Sequence, residues 1–354
     1  MVIITVSVGV MKKSLRFSLL AVPALALVLS GCSTTAAPGA SGSPAADTVS
    51  IVASTNVYGS IAEAVAGGHG QVTSLVTSAA QDPHSYEANA QDTLAISKAD
   101  LVIKNGGGYD SFIDSLLSAA KGEAPVVLNA SEASGLMPGH EAHDHSAEDS
   151  HEHSSEEPAT EDAHDHAAEE EGHEGHDHIE GFNEHVWYSL EGMKAVSHDL
   201  AHELGDLRPE FAADFHKNYE DFNAKIDALL AEADALHAQT AGKNAAITEP
   251  VPLYLLEAVG LKNVTPEAFS EAIEEGTDVS PATMAETLSI MGDGSLALLA
   301  YNEQTSGSET EKVRSAAETE GVPIVNFTET LPENKDYVSW MQENLDNISK
   351  ALGK

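Results

Sequence analysis

The sequence predicts an α/β protein of two lobes, with mostly parallel sheets flanked by helices and one long rigid helix between the lobes. Three observations carry this. From Thr48 onward, short β-branched runs alternate with helical stretches, the pattern of a parallel sheet covered on both faces. The same alternation restarts at Ala245. Between the two lies an unbroken apolar stripe at helical spacing, on a segment of about 30 residues.

The chain opens on a targeting segment. Lys12, Lys13 and Arg16 precede an uncharged, mostly apolar run from Phe17 to Gly31. Residues 1–31 therefore read as a signal peptide, with Met11 as its start because Met1 to Val10 do not fit the pattern. Leu29-Ser30-Gly31-Cys32 resembles the bacterial lipobox, in which the Cys becomes the first mature residue and carries lipid. Cys32 is the only Cys in the chain. The ordinary alternatives are a buried thiol or a membrane-spanning anchor, and the apolar run is short for an anchor. Residues 32–47, rich in Ala, Ser, Gly and Pro, read as a lipidated flexible stalk. The expected location is the cell envelope, lipid-anchored to the outer face of the cytoplasmic membrane.

The N-terminal α/β lobe is expected over residues 48–207. Val49–Ala53, Val72–Val76, Leu101–Lys104 and Val126–Asn129 read as buried strands. Ile61–Ala66, Ala88–Ser97 and Phe112–Ala120 read as helices between them. Gly106-Gly107-Gly108 follows a strand but lacks the Lys-Ser/Thr of a phosphate-binding loop, so it reads as a strand-to-helix turn. A further helix is expected over Leu190–Leu207.

The connecting helix is placed within 208–241, with Pro209 in its first turn. Phe211, Phe215, Tyr219, Phe222, Ile226, Leu229, Ala233 and Leu236 recur at steps of three and four. A helix from Pro209 to Ala238 would be roughly 45 Å long. The C-terminal α/β lobe, residues 242–354, is expected to hold strands at Ala245–Thr248, Leu296–Tyr301 and Pro323–Phe327. Its helices are expected at Pro252–Val259, Met284–Met291, Glu309–Glu320 and Tyr337–Leu352.

Composition narrows the function. The 354 residues carry a formal net charge of −40. Binding phosphates needs a basic surface, so nucleic acid is excluded as a partner. An acidic surface suits a protein that handles cations. One Cys excludes an intramolecular disulfide and a multi-Cys zinc or iron–sulfur site.

Residues 140–180 form a His/Asp/Glu-rich loop. It holds His140, His143, His145, His151, His153, His164, His166, His173, His176 and His178, with no Lys or Arg between them. The unit His-acid-His recurs at 143–145, 151–153, 164–166 and 176–178. So little apolar surface cannot offset the entropy of ordering, and the loop is expected to be disordered. It reads either as a solvated spacer or as an accessory metal collector, since imidazole is a good ligand for zinc, copper and nickel. Nothing in it would hold ligands in fixed positions.

A fixed site needs ligands at the ends of rigid elements. Asp82-Pro83-His84-Ser85-Tyr86-Glu87 follows the second strand, and Asn183-Glu184-His185-Val186-Trp187-Tyr188 precedes a helix. Glu249 lies at the end of the first strand of lobe two, and Glu329 just after the last. Each has an ordinary reading as well. His84 could bond the backbone of its turn, Glu249 could sit at a helix N-terminus, and Glu329 could be a solvated loop acid.

Asp82-Pro83-His84-x-Tyr86-Glu87 and Glu184-His185-Val186-Trp187 resemble the two His motifs of metal-specific solute-binding proteins of ABC importers, the zinc/manganese cluster A-I type. The resemblance runs from about Val49 to Gly353 and takes in Ala99-Asp100-Leu101-Val102, the long helix and the acidic insertion. It implies two lobes joined by one rigid helix, with a metal cleft between them. It implies His84, His185, Glu249 and Glu329 as ligands. Glu249 stands where the family has His or Glu, and Glu329 where it usually has Asp. Two stretches depart from the pattern: Glu-Pro-Val-Pro replaces His-x-Ala-Phe at Glu249, and Asn-Glu-His replaces Asp-Pro-His at His185. Gln304, after a strand, is a candidate to orient one carboxylate.

The resemblance implies no enzyme. It implies a lipid-anchored monomer that binds a divalent transition metal and delivers it to an ABC permease and its ATPase. Two His with two carboxylates accept Zn2+ or Mn2+; the His-rich loop favours Zn2+. A surface metal buffer or adhesin on the same fold is the other reading. His198-Asp199-Leu200-Ala201-His202 has the helical spacing of a zinc hydrolase, but Asp replaces the catalytic Glu. Val196, Leu200 and Leu204 mark the buried side of that helix, so a solvated face is expected for both His.

Overall fold

The β-branched run Val49–Thr55 forms β1, buried along almost its whole length, as an interior strand of a parallel sheet requires. In the computed structural model, which describes residues 48–139, 179 and 181–353, strand and helix alternate from there. Lobe one continues with α1 (Asn56–Ala66), β2 (Gly70–Val76), α2 (Ala90–Ile96), β3 (Leu101–Lys104) and α3 (Phe112–Ala119). β4 (Val126–Asn129), the single turn α4 (Ala130–Ala133) and α5 (Leu190–Leu207) complete it. Its strands pair in parallel in the order β2-β1-β3-β4, with Ile51 beside both Val72 and Leu101.

A short 3-10 turn at Pro209–Phe211 leads into α6 (Ala212–Thr240), 29 residues or roughly 43 Å of helix. Lobe two contains β5 (Lys243–Ile247), α7 (Leu253–Ala258), β6 (Leu261–Asn263), α8 (Glu267–Glu274) and α9 (Pro281–Met291). β7 (Leu296–Asn302), α10 (Ser308–Glu320), β8 (Ile324–Phe327) and α11 (Tyr337–Ala351) follow. Its parallel sheet has the order β6-β5-β7-β8, the same arrangement as lobe one.

Three differences from the sequence reading have local causes. α1 starts at Asn56, not Ile61, because its first turn packs directly against the sheet: a Cβ on Gly59 would lie 2.0 Å from Ser74 Oγ. α2 starts at Ala90, where Asn89 accepts from the Gln91 and Asp92 amides and Asp92 returns the bond to the Asn89 amide. β6 and α8 have no counterpart in the expected elements. β6 is three residues long and α8 only eight, both shorter than the stretch over which a period can be read from sequence.

The core follows from strand alternation. Ile51 and Ala53 face one way with Ala245, Ile247, Leu298 and Ala300 of lobe two, in one cluster that also takes in α1, α5, α6 and α11. Val52 and Val102 face the opposite side with Phe112 and Ile113. Ala246 and Leu299 do the same in lobe two with Phe269 and Val313. Each sheet thus has a private face, and the two lobes share one central core. Phe215, Phe222, Ile226, Leu229, Ala233 and Leu236 of α6 run through it, as their spacing predicts. Hydrogen bonds tie the lobes as well. Asn56 exchanges two with the Leu331 backbone at 3.0 and 2.9 Å. Tyr337 donates to the Trp187 carbonyl at 2.7 Å, and Tyr188 to that of Thr328 at 2.7 Å.

Among the described residues no helix is long and apolar enough to cross a membrane. The signal peptide, the stalk with Cys32 and the His-rich tract from His140 to His178 lie outside the described residues.

Candidate metal centre

His84 sits in the loop that joins β2 to α2. Asp82 builds its turn, accepting from the His84 amide at 2.9 Å and the Ser85 hydroxyl at 2.8 Å. His185 precedes a 3-10 turn at Val186–Tyr188, whose three side chains are buried. Asn183 Oδ1 accepts from the His185 amide at 3.2 Å and lies 2.7 Å from Nδ1 of its ring. With that oxygen already an acceptor, Nδ1 carries the proton and Nε2 is the basic nitrogen. Asn183 also donates to the Pro250 carbonyl at 3.1 Å and accepts from Tyr254 at 2.8 Å, so it fixes His185 to lobe two.

From lobe two, Glu249 follows β5 and Glu329 follows β8, both at carboxyl ends of strands. Each is only 2% exposed. Asn302, at the end of β7, holds the pair together. Its amide nitrogen donates to Glu329 Oε1 at 2.8 Å and also to Glu249 Oε2. Thr305 donates to Glu249 at 2.5 Å. Gln304 Oε1 accepts from the Glu329 and Thr330 amides at 2.6 and 2.8 Å, so it shapes the loop and leaves the carboxylate itself to other partners.

The structure brings His84, His185 and Glu329 together: one ligand-type atom from each lies within 4.8 Å of the other two. His84 Nε2 is 3.9 Å from Glu329 Oε2, and the two imidazole centroids are 6.0 Å apart. Tyr109 donates to Glu329 at 3.2 Å and stands edge-on to His84, with ring centroids 4.6 Å apart. Glu249 joins one hydrogen bond further back, through Asn302, and its Oε1 has no hydrogen-bond partner among the described residues. A second group, His84, Glu184 and Glu274, meets the same 4.8 Å criterion. Glu274 Oε1 also lies 3.7 Å from His185 Nδ1.

The electrostatics are those of acids crowded into a buried space. Burial pushes Glu249 up to about 7. Burial and then the charge of Glu249 push Glu329 up to about 8. Glu274 is also raised, by burial first and then by Glu184, Glu249 and Glu329. A divalent ion would relieve this crowding of acids, since an opposite charge a few ångströms away favours the ionised form. Two imidazoles and two carboxylates are a donor set that divalent transition metals accept.

The sequence reading missed Asn302, Tyr109 and Glu274, and it quoted Asn183 and Glu184 without a role. Asn183 and Glu184 were within reach, since they flank His185. Glu274 sits on α8, which was itself unread. His198 and His202 lie far more exposed than the buried Val196, Leu200 and Leu204, with side chains 27% and 68% accessible. They line an open groove of about 460 Å3 between α5 and α6 together with His216.

Residues 51–351 match the family ZnuA, described as zinc-uptake complex component A, periplasmic. The chain is 25% identical over 320 residues to the manganese ABC transporter substrate-binding lipoprotein PsaA of Streptococcus anginosus, covering 86% of this chain and 89% of that one. It is 26% identical over 284 residues to the zinc-binding lipoprotein AdcA of Streptococcus pneumoniae, covering 78% of this chain and half of AdcA. Its fold is similar to that of the periplasmic zinc-binding protein TroA of Treponema pallidum, with a TM-score of 0.64 at 18% identity over 86% of this chain and 99% of the other.

Proposed function

Because this chain belongs to the ZnuA family, we propose that it captures a divalent transition metal, Zn2+ foremost, outside the cytoplasmic membrane and hands it to an ABC permease driven by an ATPase. It is a binding protein and not an enzyme; the metal is its cargo. The observation that carries the reading is the convergence of His84, His185 and Glu329 in a buried cleft between the lobes, with Glu249 held beside Glu329 by Asn302.

His84 and His185 would supply nitrogen, and Glu329 and Glu249 oxygen. Tyr109 would keep Glu329 turned toward His84, and Asn183 would keep the basic nitrogen of His185 available. The lipid on Cys32 would hold the protein at the membrane, and the His-rich tract would raise the local metal concentration. Zn2+ is favoured over Mn2+ by the imidazole pair and by the order of metal affinities at mixed nitrogen and oxygen sites. Mn2+ is the second reading, supported by the two carboxylates and by the likeness to PsaA.

The test is the stoichiometry and affinity of Zn2+ and Mn2+ in competition, for the chain with and without residues 140–178. One tight site that survives the deletion and vanishes in His84→Ala/His185→Ala is expected. Loss of tight binding with the tract alone would make the protein a tethered metal sponge instead.

A further inference from the structure

A cavity of about 300 Å3 opens between the lobes beside the cleft. Four carboxylates line it, those of Glu184, Glu267, Glu271 and Glu274, and among the described residues no Lys, Arg or His does. Its wall does not include His84, His185, Glu249 or Glu329. Glu184 and Glu274 belong both to this wall and to the group that places ligand-type atoms within 4.8 Å of His84. They therefore stand between the cavity and the buried triad. His84 is common to both groups.

Resting on the reading of the cleft as the metal site, we propose that Glu184, Glu274 and His84 form an outer holding position for the incoming ion. The ion then passes to His84, His185 and Glu329 with His84 as the shared ligand. The acidic cavity concentrates cations at its mouth, as a cleft lined by one sign of charge does. Glu184 and Glu274 take the ion from water, and movement inward exchanges them for His185 and Glu329. The departing ion follows the same route in reverse, so the outer position lowers the barrier in both directions.

That two-way effect separates a route from a mere field of charge. Removing a bystander charge slows arrival and speeds departure, which weakens binding. Removing a step on the route slows both. The experiment is stopped-flow binding of Zn2+ to the full mature chain, followed by the emission of Trp187, whose ring lies 5.1 Å from that of His185. Release is followed after mixing with excess EDTA. In Glu184→Gln/Glu274→Gln both rate constants are expected to fall about tenfold while the equilibrium affinity stays within about threefold. Glu274→Asp keeps the charge and shortens its reach; intermediate rates are expected.

Unchanged rates in the double variant would overturn the proposal, and so would release that becomes faster. His84→Ala/His185→Ala is the separate control. If it keeps the Trp187 response and wild-type affinity, the reading of the cleft itself falls, whatever Glu184 and Glu274 do.

Discussion

Asn183 Oδ1 lies 2.7 Å from His185 Nδ1, and the same side chain donates to the Pro250 carbonyl of the other lobe. One amide thus sets both the tautomer of the imidazole and its position against lobe two. Asn183→Ala is expected to lower Zn2+ affinity about 10- to 100-fold, as loss of an outer partner of a metal-ligating His does elsewhere. Asn183→Asp, which keeps the acceptor, should recover most of the loss. Competition against a chelator of known affinity reads the change, and an unaltered far-UV circular dichroism spectrum separates it from unfolding.

Asn302 does for the carboxylates what Asn183 does for the imidazole. Its amide nitrogen bonds both Glu249 and Glu329. Asn302→Ala should leave two acids in one buried space with nothing between them. We expect at least a tenfold loss of Zn2+ affinity, since such partners orient their ligands. Titration calorimetry tests this, and wild-type affinity in the variant would mean that the two Glu are held by other means.

The pH dependence of the metal-free protein has a definite sign. Glu249 and Glu329 titrate near 7 and 8 in the folded chain against an ordinary 4.5. Between those values the folded state holds protons that the unfolded state has released. Their contribution to stability is therefore fully present below about 4.5 and lost as the pH rises through 8. The melting temperature of the metal-free chain should fall from pH 5.5 to pH 8.5, and Glu249→Gln/Glu329→Gln should flatten that slope. Zn2+ binding, on the reading proposed for the cleft, runs the other way. It needs the ionised carboxylates and should weaken as the pH falls below 7. Calorimetry in buffers of different ionisation enthalpy would count the protons released.

The shared core predicts a single unfolding transition for a chain of two lobes. Leu229 of α6 is 2% exposed within that core. Leu229→Ala should cost about 2–5 kcal/mol. It should lower one cooperative transition as a whole, in differential scanning calorimetry, without splitting it in two.

The parts of the fold that carry a period were legible in the sequence. The stripe predicted the buried apolar residues of α6, though Tyr219 in it is only half-buried and Phe211 belongs to the preceding 3-10 turn, and the two sets of β-branched runs predicted two parallel sheets. His84 and His185 were legible through the local motifs around them. Glu249 and Glu329 were legible as acids at strand ends, but their closeness to each other was not. It depends on Asn302, at the end of a strand whose apolar pattern says nothing about an amide. Glu274 was hidden for a different reason. α8 is short, strongly acidic and buries few side chains, so it looks like a loop until the fold turns its last residue into the cleft.

Tyr337, Trp340 and Met341 of the last helix pack in the same core as Val57 and Ile61 of the first, and the Tyr337 amide donates to Ser60 at 3.0 Å. The first and last helices of the described residues are therefore mutual scaffolding, and neither lobe is a portable part. A chimera that swapped whole lobes between two proteins of this kind would set a foreign last helix on the wrong first one and leave voids or clashes between them. Metal preference is better transplanted loop by loop. The segments after β2, β5 and β8 and the stretch before α5 carry the proposed donors, while the interior that must match its own partner stays intact.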